Sequence, residues 1–95
     1  MTLFVVRTTP RYERLARALV KAHAEFAALQ ASARLVLGAD PMNRSGAHHV
    51  KKLTNIPRGE GQWRLALGRF RFRYDIYGRD VLVSYCGLRR EDTYR

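Results

Sequence analysis

The sequence predicts an α+β domain in the order β-α-α-β-β-β, with an N-terminal helical hairpin packed on one face of a mainly antiparallel, four- to five-stranded sheet. Three observations lead there. Between Tyr12 and Leu37, apolar residues recur every three or four positions, the period of a helix. Between Gln62 and Ile76 they recur every second position, the period of a strand. Glycine and proline separate these blocks at Pro10, Gly38, Pro41, Gly68 and Gly78.

Leu3–Thr8 opens with an apolar, partly β-branched run and reads as the first strand. Thr9-Pro10 signals a helix start, because the hydroxyl can cap and proline suits the first helical position. Tyr12, Leu15, Ala16, Leu19 and Val20 then make one apolar face, and Arg11, Arg14, Arg17 and Lys21 fall mainly on the outer side. Phe26, Leu29, Ala33, Val36 and Leu37 make a second apolar face. The two patterns meet at His23-Ala24, which fits either a helical hairpin or one continuous bent helix. Gly38 and Pro41 stop the helix, and Asp40–Gly46 is a loop by composition. Val50–Leu53 is a short strand and Ile56–Gly61 a turn. Gln62–Leu67 is a strand that sends Trp63, Leu65 and Leu67 to one face. After Gly68, Phe70, Phe72, Tyr74 and Ile76 alternate with Arg69, Arg71, Arg73 and Asp75. Tyr77–Asp80 is a turn, Val81–Cys86 the last strand and Gly87–Arg95 a polar tail.

The 95 residues fit one domain, residues 1–95, with an ordinary 46% of hydrophobic residues. The charge is not ordinary: eighteen Lys and Arg against eight Asp and Glu give +10, and fifteen of the eighteen are Arg. Residues 44–95 carry +7 of this and residues 1–43 only +3. A small basic chain meets a polyanion or an acidic protein. Arginine in particular grips phosphate through a planar fork that stays charged. The single cysteine, Cys86, excludes an internal disulfide and a Cys-based zinc site. It fits a reducing cytoplasm. No stretch reaches the ~18 apolar residues of a membrane span, and the N-terminus lacks the order of a signal peptide. The expectation is a soluble cytoplasmic protein with no membrane partner, no cofactor and no metal.

If Trp63, Leu65, Leu67, Phe70, Phe72, Tyr74 and Ile76 face the helices, then Arg64, Arg69, Arg71 and Arg73 share the opposite face. Cross-strand neighbours lie about 5 Å apart, so like charges there repel unless an anion fills the gap. Arg89, Arg90 and Tyr94 follow the last strand. Such a groove can bind a phosphodiester and stabilise a pentavalent phosphorane. The competing account is a solvated, aggregation-resistant sheet face.

The stretch Gln62-Trp63-Arg64-Leu65-Ala66-Leu67-Gly68-Arg69-Phe70-Arg71-Phe72-Arg73-Tyr74-Asp75-Ile76 resembles the core strands of RelE/ParE-superfamily toxins. The ending from Gly87 to Arg95 is similar to the family's Gly-x-Arg…Tyr finish, and the Pro-Arg-Tyr-Glu-Arg helix opening also fits. The resemblance implies the toxin of a toxin–antitoxin pair, neutralised by a cognate acidic antitoxin. In the RelE-like branch it implies a metal-independent endoribonuclease that cuts mRNA on the ribosome. There the 2′-hydroxyl attacks the adjacent phosphate and leaves a 2′,3′-cyclic phosphate. By position, Arg64 matches a basic residue of the first hairpin strand, and Arg71 the arginine on the scissile phosphate. Arg89 matches a phosphate ligand and proton donor, and Tyr94 a residue that orients or stacks on the substrate. Ala66 stands where RelE has a second lysine. ParE-like members share the fold and poison DNA gyrase instead. A non-catalytic or degenerate RNA- or ribosome-binding module is a third alternative.

A guanidinium is a poor general base, so Arg64 leaves that role unassigned. His48, His49, Lys51 and Lys52 precede the hairpin, and histidine is the natural acid/base near neutral pH. His48-His49 are adjacent, so a strand would point them to opposite faces, which argues against a metal pair. With Arg69, Arg73 and Arg90, these four residues are the expected RNA-backbone contacts. Trp63 and Cys86 read as core, and His23 as structural.

Overall fold

The computed structural model describes residues 3–91. The chain is α+β, with two helices packed on one face of a mixed five-stranded sheet. The strands are β1 (Val5–Thr8), β2 (Val50–Lys52), β3 (Trp63–Leu67), β4 (Phe70–Tyr77) and β5 (Asp80–Leu88). The helices are α1 (Pro10–Ala22) and α2 (Phe26–Ala39), and a short 3-10 turn covers Arg89–Glu91. The sheet order is β1-β5-β4-β3-β2. β5 therefore lies inside the sheet, parallel to β1 on one side and antiparallel to β4 on the other. No helix among the described residues is long and apolar enough to cross a membrane.

The helical region is a hairpin, not one bent helix. Thr9 caps α1, its hydroxyl accepting from the Tyr12 N–H at 3.1 Å, and Pro10 occupies the first turn. His23 ends α1 with extended backbone, donating to the Leu19 carbonyl at 2.8 Å. Three residues later Phe26 starts α2, fully buried. Its ring stacks on Phe72 at 5.8 Å and meets Phe70 edge-on at 5.1 Å. Burying a side chain of this size contributes roughly 1.5–3 kcal/mol, and the aromatic geometry adds to that. The core is completed by Tyr12, Ala16, Ala33 and Leu37 from the helices and by Leu65, Tyr74, Val81, Val83 and Cys86 from the sheet. Two of its polar tips are satisfied: Tyr12 donates to Gln30 Oε1 at 2.8 Å and Tyr74 to the Pro41 carbonyl at 2.7 Å. Burial pushes both phenols well above their ordinary range, and pushes the Cys86 thiol up to about 12.

Several details depart from the sequence reading: four strands and not three follow the helices, the first strand begins at Val5 and not Leu3, and the turn after β4 is only Gly78-Arg79, with Tyr77 and Asp80 in strands. The last strand runs to Leu88, so Gly87 is a strand residue paired with Arg71 and not the start of a tail. β5 also carries a bulge. Arg73 lies opposite Tyr85 and Tyr74 opposite Val83, which leaves Ser84 as an extra residue. The bulge keeps both Val83 and Cys86 in the core with two residues between them.

Asp75 is buried, only 1% exposed, on the face away from the helices. Its carboxylate accepts from the backbone N–H groups of Gly61 and Gln62, at 2.9 and 3.0 Å. Gly61 has φ +82, and a Cβ there would stand 2.9 Å from the Arg73 Cβ, so only glycine fits this approach. Asp75→Ala leaves both donors without their partner. Equilibrium denaturation should show a loss of about 2–4 kcal/mol, and Asp75→Asn, which keeps an acceptor oxygen, should lose less.

Candidate nucleic-acid interface

The alternation of β4 decides what the outer face carries. Phe70, Phe72 and Tyr74 are buried against the helices, so Arg71 and Arg73 point the other way. Strand register then sets their neighbours. One row across the sheet reads His49, Ala66, Arg71, Gly87, with the Ala66 N–H donating to the His49 carbonyl at 2.9 Å. The adjacent row reads Lys51, Arg64, Arg73, Tyr85. Successive members of a row stand about 5 Å apart and the rows about 7 Å apart. The backbone positions of three arginines, a lysine and a histidine thus lie within about 15 Å of one another, with the small Ala66 among them.

The two arginines of β4 are used differently. Arg73 is turned onto the segment before β3, donating from Nε to the Gly61 carbonyl and from Nη2 to the Glu60 carbonyl, each at 2.9 Å. This segment crosses the outer face of β4, where Arg58 lies over the Tyr77 ring at 5.4 Å. It covers the Asp75 half of the face. Arg71 lies on the uncovered half. Its Nη1 donates to the carbonyls of Gly68 and Phe70, at 3.0 and 2.9 Å, which fixes the guanidinium near the β3–β4 turn. Arg89 arrives at the same turn, its N–H donating to the Arg69 carbonyl at 2.7 Å. Among the described residues no acid pairs with Arg64, Lys51 or Arg89.

Other expected contacts lie elsewhere. Arg69 leaves the outer face for the helix junction, bonding Glu25 at 2.8 Å and His23 Nδ1 at 2.9 Å. The carboxyl of Glu25 is held below its ordinary range, first by its own backbone N–H and then by Arg69. Lys52 sits over the Trp63 ring at 5.6 Å, at the sheet edge on the core side. His48 Nε2 stands 3.8 Å from Asp40, and its backbone is bracketed by the Asn43 side chain. Asp40 itself is held low, first by the Ser45 hydroxyl and then by the N–H groups of Arg44 and Ser45. His49 is exposed. Arg90 is exposed in the 3-10 turn, and Tyr94 lies outside the described residues. No cluster of three or more His, Cys, Asp or Glu among the described residues could hold a metal ion.

Tyr85 is the residue the sequence reading missed. It stands beside Arg73 in the second row, and its hydroxyl lies where a Cβ at Gly87 would be, next to Arg71. Simple alternation from Val81 gives no warning of this, because the Ser84 bulge resets the parity. Arg11 of α1 lies over the Tyr85 ring at 5.3 Å.

The separation of roles has a direct check. Arg73→Ala should speed amide exchange across residues 59–62 and lower stability by about 1–3 kcal/mol, whereas Arg64→Ala should change neither. In comparisons with known proteins, no family model, curated protein or solved structure matches this chain.

Proposed function

We propose that this chain is a RelE-like toxin, a metal-independent endoribonuclease that acts on mRNA at the ribosome and is neutralised by an acidic antitoxin protein. The observation that carries the reading is the row His49, Ala66, Arg71, Gly87. Its register sets a histidine and an arginine on either side of a residue small enough to leave room for a phosphate. The strand-helix-helix start followed by an antiparallel run of strands, β-α-α-β-β-β-β in all, and the sequence resemblance over Gln62–Arg95 support it.

In this reading Arg71 and Arg64 bind the scissile phosphate, and Arg89 adds charge at the β3–β4 turn. His49 takes the proton of the 2′-hydroxyl, whose oxygen then attacks phosphorus. Arg71 is best placed to meet the charge that develops on the phosphorane oxygens. The 5′-oxygen leaves, taking its proton from solvent, and the RNA ends in a 2′,3′-cyclic phosphate. The basic face would be the antitoxin's target, since covering Arg71 removes the phosphate site.

The test is induction in bacteria with mapping of mRNA 5′ ends, alongside cleavage by the purified protein in EDTA. Cuts within translated frames and cyclic-phosphate products are expected. Arg71→Ala should reduce cleavage about 10²–10³-fold, as loss of a transition-state donor does, with an unchanged circular dichroism spectrum. His49→Gln should reduce cleavage about 10²–10⁴-fold, as loss of a general base does. Growth arrest with intact mRNA and broken DNA would replace this reading with a gyrase poison. Arg71→Ala that stays equally toxic would remove that residue from the site.

A further inference from the structure

The outer face of α1 carries charge that the proposed site does not use. Arg11, Arg14, Arg17 and Lys21 are all exposed, on the side of the helix opposite the buried Tyr12 and Ala16. At 100° per residue these four fall within an arc of about 120°, over about 15 Å of helix. Glu13, the only acid of the helix, accepts from the Thr8 hydroxyl. Arg14, Arg17 and Lys21 have no acidic partner among the described residues.

This arrangement works against the helix. Like charges at i, i+3 and i, i+4 repel, as Arg11/Arg14, Arg14/Arg17 and Arg17/Lys21 do. Cations in the first turns also oppose the helix dipole, which favours acids there. A helix surface optimised for solubility alone would interleave acids. The stripe is also joined to the sheet face. β1 stops at Thr8, opposite Val83, so beyond that point β5 keeps β4 on one side and has no described strand on the other. Arg11 reaches across at this flank to lie over the Tyr85 ring, and the Tyr85 hydroxyl lies over Gly87 beside Arg71.

We infer that the outer face of α1 is a second RNA-backbone track, continuous with the sheet face through Arg11 and Tyr85, that holds the strand beyond the nucleotides at Arg71. The inference rests on the reading of RNA as the substrate. An acidic protein would be drawn to the same charge. The arc itself, however, holds no aromatic or large aliphatic side chain; half-exposed Val20 borders it beside Arg17 and Lys21, and one valine falls short of the aromatic cluster that anchors protein interfaces, whereas arginine forks suit phosphate.

The experiment measures binding of two unstructured 2′-O-methyl RNAs, a tetranucleotide and a 20-mer, across 50–200 mM salt. A long RNA offers more overlapping sites, which raises apparent affinity but not the salt slope, so the slope is the readout. Each phosphate contact adds about 0.7 to the slope for single strands, so three extra contacts steepen it by about 2. Arg14→Gln/Arg17→Gln/Lys21→Gln, which keeps helix propensity, should bind the tetranucleotide like the wild type. On the 20-mer it should lose the extra slope, so that raising the salt costs wild type about 15-fold more affinity than the variant. A control with the same charge loss elsewhere, Arg34→Gln/Arg44→Gln/Arg79→Gln, should keep the wild-type slope. A triple variant with the wild-type slope, or a wild type with equal slopes on both RNAs, overturns the inference. So does a variant impaired only in binding poly-L-glutamate, which assigns the face to a protein. Cleavage of unmodified RNA is scored separately: a slope difference without cleavage keeps the track and removes the nuclease reading.

Discussion

The alternation of β4 is the constraint on which the rest depends. Phe70, Phe72 and Tyr74 must all reach the helices, because together with Phe26 they are the largest fully buried side chains. A strand cannot turn those three inward without turning Arg71 and Arg73 outward. The hydrophobic core and the basic face are thus two consequences of one pattern. A one-residue slip of register would lose both.

Placing arginines opposite one another is unfavourable, and the fold handles the cost in two ways. On one half of the outer face the segment before β3 folds across the sheet. Its carbonyls take up Arg73, and its N–H groups take up Asp75. That half becomes a second, small polar core. On the other half Arg71 is held by the carbonyls of Gly68 and Phe70, and Arg64 stands beside it without an acidic partner among the described residues. With Arg73 taken up by those carbonyls, the proposed anion site centres on Arg71.

The architecture was legible because its signals are local. Thr9-Pro10, the phase break at His23 and the strict alternation after Gln62 each report on a few neighbouring residues, and the elements lie where they say. Three features were not legible. Nothing in the sequence shows that the segment around Gly61 folds back over Asp75, since that requires the sheet to exist first. The Ser84 bulge changes parity within a β-rich run and hides the placement of Tyr85. Arg69 alternates correctly with Phe70, yet it sits at a turn where Glu25 and His23 are within reach. Of the basic positions, the outward face could be read for Arg64, Arg71 and Arg73. Whether each guanidinium met a carbonyl, a ring or an acid could not.

The parallel pairing of β1 with β5 has a consequence for how the chain comes into being. Val5 pairs with Asp80, across most of the described chain, and α1 packs chiefly on β5. The β3–β4 hairpin can close through near neighbours as soon as it leaves the ribosome. β1 and α1 cannot do the same, because their partner is the last strand to be made. Until residues 80–88 emerge, the amphipathic face of α1 has nothing to cover it, and contacts of such long range form slowly. The molecule therefore passes its synthesis as an unfinished sheet and completes its fold only once translation of the domain is over.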